Sequence, residues 1–225
     1  MRRAWRWAAA VALTAALVTP GAGQERRERR HYADPAAVLA AELAATRLGQ
    51  EKGGLAAFRK LGDPAAELFV PQRVGAAEWL KRHAGPPIAT RRAAHAVWAS
   101  CDGGIVVTSG RWQAGDGASG AASGTYATVW RRQEKGGYRW LLDMDLAASA
   151  PADAPEMIPA RVADCDGERL VADGPGADGD SRVGVSHDGS LRWTTTVRAD
   201  GARRFTLDMR EDGKPKQVLD LAGAG

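Results

Sequence analysis

The chain has 225 residues, of which 44% are hydrophobic, so it is long enough to form one or two domains with a real core. Its formal net charge of +4 falls to +1 when the three arginines of the N-terminal stretch, Arg2, Arg3 and Arg6, are set aside. A chain this close to neutral gives no support for a nucleic-acid partner.

Residues 1–23 have the pattern of a cleaved secretory signal peptide. An arginine-containing start is followed by an apolar run from Ala8 to Val18 and then by Pro20 and small residues. The run is shorter than the roughly 20 residues that span a bilayer. We therefore expect cleavage near Gly23 and a periplasmic or secreted protein without a stable membrane anchor, a retained anchor being the alternative.

The next segment, 24–33, alternates arginine with glutamate and is expected to be a flexible charged arm rather than a binding patch. Asp34 and Pro35 are typical of a helix N-cap and first turn, and Gly53 is typical of a helix end. The pattern predicts a long helix between them. Further along, the segments "LAAFRKLG", "ELFVPQ" and "GAAEWLKRH" predict a second helix, a short strand and a third helix.

From residue 90 the hydrophobic period changes from that of helices to the period of two that is typical of strands. Four strands are expected, in "RRAAHAVWAS", "GIVVTSGRWQ", "TYATVWRRQ" and "GYRWLLDMDLA". Their short glycine-rich links are typical of hairpins, so this sheet should be antiparallel. Apolar residues occur on both faces of the strands, which indicates helices on one face and partial cover on the other.

Beyond a Pro/Ala-rich linker at 148–157, Asp-Gly pairs recur at 166, 178, 188, 200 and 212. Asp-Gly is a strong hairpin-turn signal, so residues 158–225 are expected to form an antiparallel β-meander.

The two cysteines, Cys101 and Cys165, are expected to pair, because two thiols in an exported protein more often form a disulfide than stay reduced. Two buried free thiols are the alternative. The histidines show no metal-ligand spacing, so no metal is expected. Two G-x-G-x-x-G matches, at 115 and 174, lack the strand-to-helix context of a nucleotide site, and no cofactor is expected.

Several segments resemble the nuclear-transport-factor-2-like superfamily, also called SnoaL-like or ketosteroid-isomerase-like, and within it an exported alphaproteobacterial subgroup. They are "DPAAVLAAELAATRLGQEKG", "ELFVPQ", "AAEWLKRHAGPP", "HAVWASCDGGIVVTSGRW" and "TVWRRQEKGGYRWLLDMD", within residues 34–147. The resemblance implies an α+β domain, a cone-shaped curved antiparallel sheet with N-terminal helices. It also implies a cone mouth that holds a small apolar ligand, and a homodimer through the sheet. The meander at 158–225 departs from the family pattern and could cover that dimer surface.

The same resemblance makes Asp143 a candidate catalytic base, because the last strand of family members often carries a His-Asp-His run and "LDM" keeps its aspartate. Tyr126 and His95 are further candidates, with Asp145 beside them. Strict alternation places Trp140 and Leu142 on one strand face and both acids on the other. Burying the tryptophan gains more apolar area, so we expect both acids to face away from the cone in structural roles. His95 is expected to be a structural, hydrogen-bonded histidine.

Aromatic side chains in a small cone favour an apolar ligand pocket, for which the candidates are Trp79, Trp98, Trp130, Trp140 and Leu142. Three functions remain open. The first is an exported protein that binds a small apolar ligand or a protein partner without catalysis. The second is an isomerase, dehydratase or hydrolase-like enzyme that uses an Asp or His in the cone. The third is a structural module that docks another envelope protein.

Overall fold

The computed structural model describes residues 33–83, 90–114, 122–147, 155–172 and 179–224. The expected signal peptide, all but the last residue of the charged arm and most of the Pro/Ala linker lie outside these ranges. The described residues form an α+β architecture of three helices and two β-sheets, as the sequence predicts. None of these helices is both long and apolar enough to cross a membrane.

The first helix begins and ends where its capping residues predict. Helix α1 spans Pro35–Lys52, and the Asp34 carboxylate accepts hydrogen bonds from the backbone N–H groups of Ala36 and Ala37, at 3.1 and 3.2 Å. Gly53, with a φ of +89°, ends α1 in a conformation that favours glycine. Helix α2 follows at Gly54–Leu61 and helix α3 at Ala76–Arg82.

The larger sheet has seven strands in the order β2-β1-β6-β5-β4-β3-β7. The four expected hairpin strands, β3 to β6, are antiparallel neighbours, which confirms that prediction. The pairs β1–β6 and β3–β7 are parallel, so the sheet is mixed rather than purely antiparallel. The strands are β1 (Gly62–Phe69), β2 (Arg73–Gly75), β3 (Thr90–Ala99), β4 (Ile105–Ala114), β5 (Ser123–Arg132), β6 (Tyr138–Ala147) and β7 (Ala160–Val162).

Two β-bulges interrupt the alternation within the antiparallel strands β3 to β6. On β6, Leu142 pairs with Val129 but Trp140 pairs with Trp130, so Leu141 is an extra residue. On β3 the register shifts in the same way between Ala94 and Ala96, and His95 is the extra residue. A bulge bends its strand and reverses the side-chain alternation beyond it, and the bulge on β6 determines which side chains face the helices.

The smaller sheet is an antiparallel meander, with four strands in chain order: β8 (Asp180–Val185), β9 (Leu191–Val197), β10 (Arg203–Glu211) and β11 (Lys214–Gly223). It is shorter than the expected range 158–225, because β7 pairs with β3 in the larger sheet. Asp-Gly pairs form its three turns. In the last one Asp212 and Gly213 have φ values of +51° and +72°, as a two-residue hairpin turn requires. The Asp-Gly pair at 166 precedes this sheet, and residue 178 lies outside the described part of the chain.

Both faces of the seven-stranded sheet are covered. The three helices pack on one face, where Val97, Val106 and Trp140 belong to the core. The four-stranded sheet packs on the other face, where Met144 contributes to a core shared with Phe205. A disulfide joins Cys101, just after β3, to Cys165, just after β7, with the two Cα atoms 5.1 Å apart.

Candidate functional site

A cavity of about 90 Å³ lies between the helices and the seven-stranded sheet. Its helical wall comes from α1 and α2, and its other wall from β3, β5 and β6. Small residues on the helices, such as Ala45, Gly49 and Gly54, leave the space open. The large or polar lining residues are Glu42, Phe58, Arg92, Thr128, Trp130, Trp140, Asp143 and Asp145. A wider groove of about 880 Å³ runs over the four-stranded sheet, but it is an open surface with Arg204 paired to Asp220.

Arg92 and Asp143 form a buried ion pair in the cavity wall. The terminal nitrogens Nη1 and Nη2 of Arg92 donate to Oδ1 and Oδ2 of Asp143, at 2.6 and 2.8 Å. The Thr128 hydroxyl donates a further hydrogen bond, 2.6 Å long, to Oδ1 of Asp143. Burial opposes the charge of Arg92, but the carboxylates of Asp143 and Asp145 raise its pKa above the usual value. Asp143 is therefore held by two partners, and both of its oxygens accept hydrogen bonds within the protein.

Asp145 lies at the rim of the cavity, where 40% of its side-chain surface is accessible. Its Oδ1 accepts a 2.6 Å hydrogen bond from Nη2 of Arg92, while Oδ2 has no partner among the described residues. Loss of solvation and the charge of Asp143 outweigh the attraction of Arg92 and raise the pKa of Asp145 to about 6. This carboxyl group can therefore gain and lose a proton near neutral pH.

Glu42 and Tyr126 form a second buried polar pair, between α1 and β5. Tyr126 is fully buried and its hydroxyl donates to Oε1 of Glu42. Glu42 itself is only 7% exposed. Burial raises the pKa of both groups, more than hydrogen bonds from Thr108 and Tyr126 lower that of Glu42. The second oxygen of Glu42, Oε2, is buried without a hydrogen-bond partner in the described part of the chain. A buried acceptor left unpaired is unfavourable by about 1–3 kcal/mol, so a ligand or water that bonds to it is stabilised.

Three aromatic rings complete the cavity. Phe58 and Trp140 meet edge to face with their centroids 5.0 Å apart. The indole N–H of Trp140 donates to the backbone carbonyl of Phe58 at 3.1 Å, and that of Trp130 donates to the Thr108 hydroxyl at 2.9 Å. Both tryptophans therefore present ring surface, and no free N–H, to the cavity.

The expectation that Trp140 and Leu142 share a face, with both acids turned away, is wrong. Because Leu141 is an extra residue in the bulge, the alternation changes between Trp140 and Leu142. Trp140, Asp143 and Asp145 all line the cavity, while Leu142 packs toward the four-stranded sheet.

The remaining candidate pocket residues are divided between places. Trp130 lines the cavity next to Trp140. Trp98 lies on the opposite face of the sheet, in the core shared with the four-stranded sheet. Trp79 packs on the outside of the helical core, where its ring stacks on His83 at 4.0 Å. Trp79, Trp98 and Leu142 are thus not cavity-lining residues.

His95 does not line the cavity, although its groove borders the cavity at Thr46 and Arg92. It is the extra residue of the β3 bulge and lies in a surface groove with Arg91 and Arg111. Its Nε2 is buried and has no partner among the described residues, so the expected hydrogen bond to this nitrogen is missing. Burial and the charge of Arg111 lower the pKa of His95. The structure brings Asp143 and Tyr126 to one face but does not add His95 to them.

Sequence reasoning missed Glu42 and Arg92. The signal for Glu42 was present: it follows Val38, which is fully buried, by one helical turn, and Gly49 continues the same buried stripe. An acid inside such a stripe indicates a specific buried role. Arg92 gave no comparable signal, because its pairing with Asp143 depends on the fold.

No family model and no curated protein matches the chain. Among solved structures it is similar to the crystal structure of a "putative ketosteroid isomerase" from Parabacteroides distasonis, with 12% sequence identity and a TM-score of 0.39. The match covers 54% of this chain and 98% of that chain. It is a resemblance at the level of the fold alone.

Proposed function

We propose that the protein binds a small ligand in the cavity between the helices and the seven-stranded sheet. One observation carries this proposal. Oε2 of Glu42 is buried, lacks a hydrogen-bond partner among the described residues, and belongs to a residue that lines the cavity. Folded proteins satisfy nearly all such groups, and each exception needs an explanation, such as a functional role or a bound water or ion. A ligand with a donor would remove this unfavourable term.

The volume limits what can bind. A water molecule occupies about 30 Å³ of liquid, so 90 Å³ holds about three waters or an organic group of four to five heavy atoms. A larger ligand would have to extend out of the cavity past Asp145, whose partly accessible side chain lies at the rim. The aromatic walls favour an apolar part of the ligand and the carboxyl groups favour a polar end.

A fragment screen by ligand-observed NMR tests the proposal, with a variant that fills the cavity. Ala45→Leu places a larger side chain into the space, whereas Ala44→Leu, the matched control, adds the same group on the exposed face of the same helix. We expect fragments of four to five heavy atoms to bind the wild type and Ala44→Leu but not Ala45→Leu. The proposal would be overturned if no fragment bound the wild type, or if every fragment that bound the wild type also bound Ala45→Leu.

A second candidate function is proton transfer on a bound carbonyl compound, and Asp145 favours it. Its carboxyl group has a pKa of about 6 and an oxygen, Oδ2, without a partner in the described structure. A base poised near the working pH is efficient in such reactions. Asp143, whose two oxygens accept hydrogen bonds from Arg92, would position the guanidinium instead. An isomerase-type reaction thus needs Asp145 rather than Asp143 or His95.

Deuterium exchange at the α-carbon of acetone, a ketone of four heavy atoms, tests the second candidate. We expect the wild-type protein to accelerate exchange and Asp145→Asn to abolish the acceleration, because the amide cannot accept the proton. Equal rates for the two proteins would exclude Asp145 as a base for ketones of this size.

We also propose that the protein works outside the cytoplasm. The signal-like residues 1–23 support this, and so does the Cys101–Cys165 disulfide, since such bonds persist in oxidising compartments. Mass spectrometry of a periplasmic fraction should find a chain that begins near Gln24, and full-length protein in the membrane fraction would contradict it. A homodimer is a further proposal. Because the helices and the four-stranded sheet cover the two faces of the larger sheet, it would have to form through another surface than an open face of that sheet. Light scattering gives the mass.

A further inference from the structure

Around the cavity, most hydrogen-bond donors already have partners within the protein, whereas two acceptors do not. The donors are mostly committed: the terminal nitrogens of Arg92 bind Asp143 and Asp145, and the Thr128 hydroxyl donates to Asp143. The indole N–H groups of the two tryptophans are bonded inside the protein as well. The acceptors Oε2 of Glu42 and Oδ2 of Asp145 have no partner in the described residues. The cavity therefore offers acceptors to a ligand that brings its own donors.

The charges that line the cavity also favour a cationic ligand. Three carboxyl groups, from Glu42, Asp143 and Asp145, line the cavity with one guanidinium, from Arg92. Arg203 approaches Asp145 from the other side of the sheet, where it donates to the backbone carbonyl at 3.0 Å. After Arg92 has paired with Asp143, no further cation lines the described cavity wall to balance Glu42.

The aromatic walls favour the same kind of ligand. The face of an indole ring carries negative potential and attracts ammonium and guanidinium groups. Aromatic rings already attract a cation here, since the Arg92 guanidinium lies 4.7 Å from the centroid of the Tyr126 ring and 5.5 Å from that of Phe58. Trp130 and Trp140 line the cavity beside Glu42 and have no N–H free to repel a cation.

We propose that the ligand is a small organic cation that carries N–H donors, an amidinium or a primary ammonium group. It would donate to Oε2 of Glu42 and pack on the rings of Trp130 and Trp140. Asp145 would add negative charge at the rim, where the rest of a longer ligand would leave the cavity. This inference rests on the proposed function, because it names the chemical class of the ligand of that same cavity.

Three molecules of equal size and shape test the class of ligand. Acetamidinium, acetamide and acetate each have four heavy atoms in one plane and carry charges of +1, 0 and −1. Titrations at constant ionic strength, followed by protein NMR shifts, give the three dissociation constants. We expect acetamidinium to bind at least about 10-fold more tightly than acetamide, as one charge-assisted hydrogen bond allows. Acetate should not bind.

A variant identifies the carboxyl group responsible. Glu42→Gln keeps the shape of the side chain but removes its charge, and should weaken acetamidinium about 10-fold while changing acetamide by less than about 3-fold. Glu51→Gln, an exposed acid on the same helix, is the matched control and should change neither.

The wild-type ranking decides the inference even if Glu42→Gln is unstable. Tighter binding of acetamide or acetate than of acetamidinium would overturn the cation assignment and leave the proposed binding function intact. Failure of all three, together with failure of the fragment screen, would overturn both.

Discussion

The two faces of the seven-stranded sheet are covered in different ways. The face toward the four-stranded sheet is packed with apolar side chains, among them Val129, Met144, Phe205 and Leu207, each fully buried. The face toward the helices also has apolar residues, but its centre holds a cavity and the buried network around Arg92. Residues of the same strands alternate between these two environments.

This difference indicates a division of roles. Close apolar packing stabilises the fold by burial and leaves little space for a ligand. Buried ion pairs contribute little net stability, because loss of solvation offsets most of their attraction, so their presence needs another reason. On the helix-covered face we propose that this reason is ligand binding, since Glu42 and Asp145 keep acceptors available there.

The sharpest comparison removes one large aromatic side chain from each face. Trp140→Ala and Phe205→Ala should each lower the free energy of unfolding by about 3–5 kcal/mol, because both side chains are at most 2% exposed. Urea unfolding measures this loss. Only Trp140→Ala should also change the binding of the small probes, and an equal change in Phe205→Ala would show that the faces are not separate in function.

The second prediction concerns the disulfide that ties the segment before the four-stranded sheet to the end of β3. Replacing Cys101 and Cys165 with serine should lower the free energy of unfolding by about 4 kcal/mol, since the bond joins residues separated by 64 positions. Unfolding of the wild type with and without reductant measures the same quantity, and the serine variant serves as the control that reductant should not affect. No shift upon reduction would contradict the prediction.

The buried ion pair should show the opposite behaviour to apolar packing. Asp143→Ala should lower the free energy of unfolding by about 3 kcal/mol, because Arg92 stays buried with Asp145 as its remaining ion-pair partner. The double variant Arg92→Met with Asp143→Leu should regain most of that loss, since both buried charges are gone and Asp145, which loses Arg92, is partly exposed to water. Should the double variant be less stable than Asp143→Ala, the network would be a net source of stability.

The smallest expected effect is the pH dependence that Asp145 contributes. Its pKa is raised to about 6 in the folded protein, so between pH 4 and 6 the folded state binds more protons than the unfolded state. The contribution to stability is therefore present below pH 4 and lost as the pH rises to 6. With 40% of the side chain accessible, we expect only about 1 kcal/mol.

Asp145→Asn provides the control for this pH dependence. The free energy of unfolding of the wild type minus that of Asp145→Asn should fall as the pH rises from 4 to 6. A difference that is constant over this range would show that the pKa of Asp145 is not raised.

Local sequence signals predicted most of the fold. Asp34 marks the start of α1 because its carboxylate accepts hydrogen bonds from the first free backbone N–H groups. Gly53 at the end of α1 and Asp212-Gly213 in a hairpin turn are signals because few residue types adopt their positive-φ conformations. The period of two predicted β3 to β6 and the meander. The parallel pairing of β1 with β6 was not predicted, since strands that are distant in the sequence carry no local mark of their pairing.

The candidate site was predicted less well, and one residue explains why. A reading by strict alternation assumes an unbroken strand, so it grouped Trp140 with Leu142 and turned Asp143 to the other face. The bulge at Leu141 reverses that alternation, and it forms only when β5 and β6 pair.

The sequence by itself determined the α+β class, the order of the elements, their turns and the residue types available for a site. Tertiary structure alone decided that Glu42 is buried against Tyr126, that Arg92 binds both Asp143 and Asp145, and that these groups share a cavity. Local signals act over a few residues of backbone. Burial and ion pairing depend on groups that are 51 to 84 residues apart in the chain, so packing of the whole fold must bring them together.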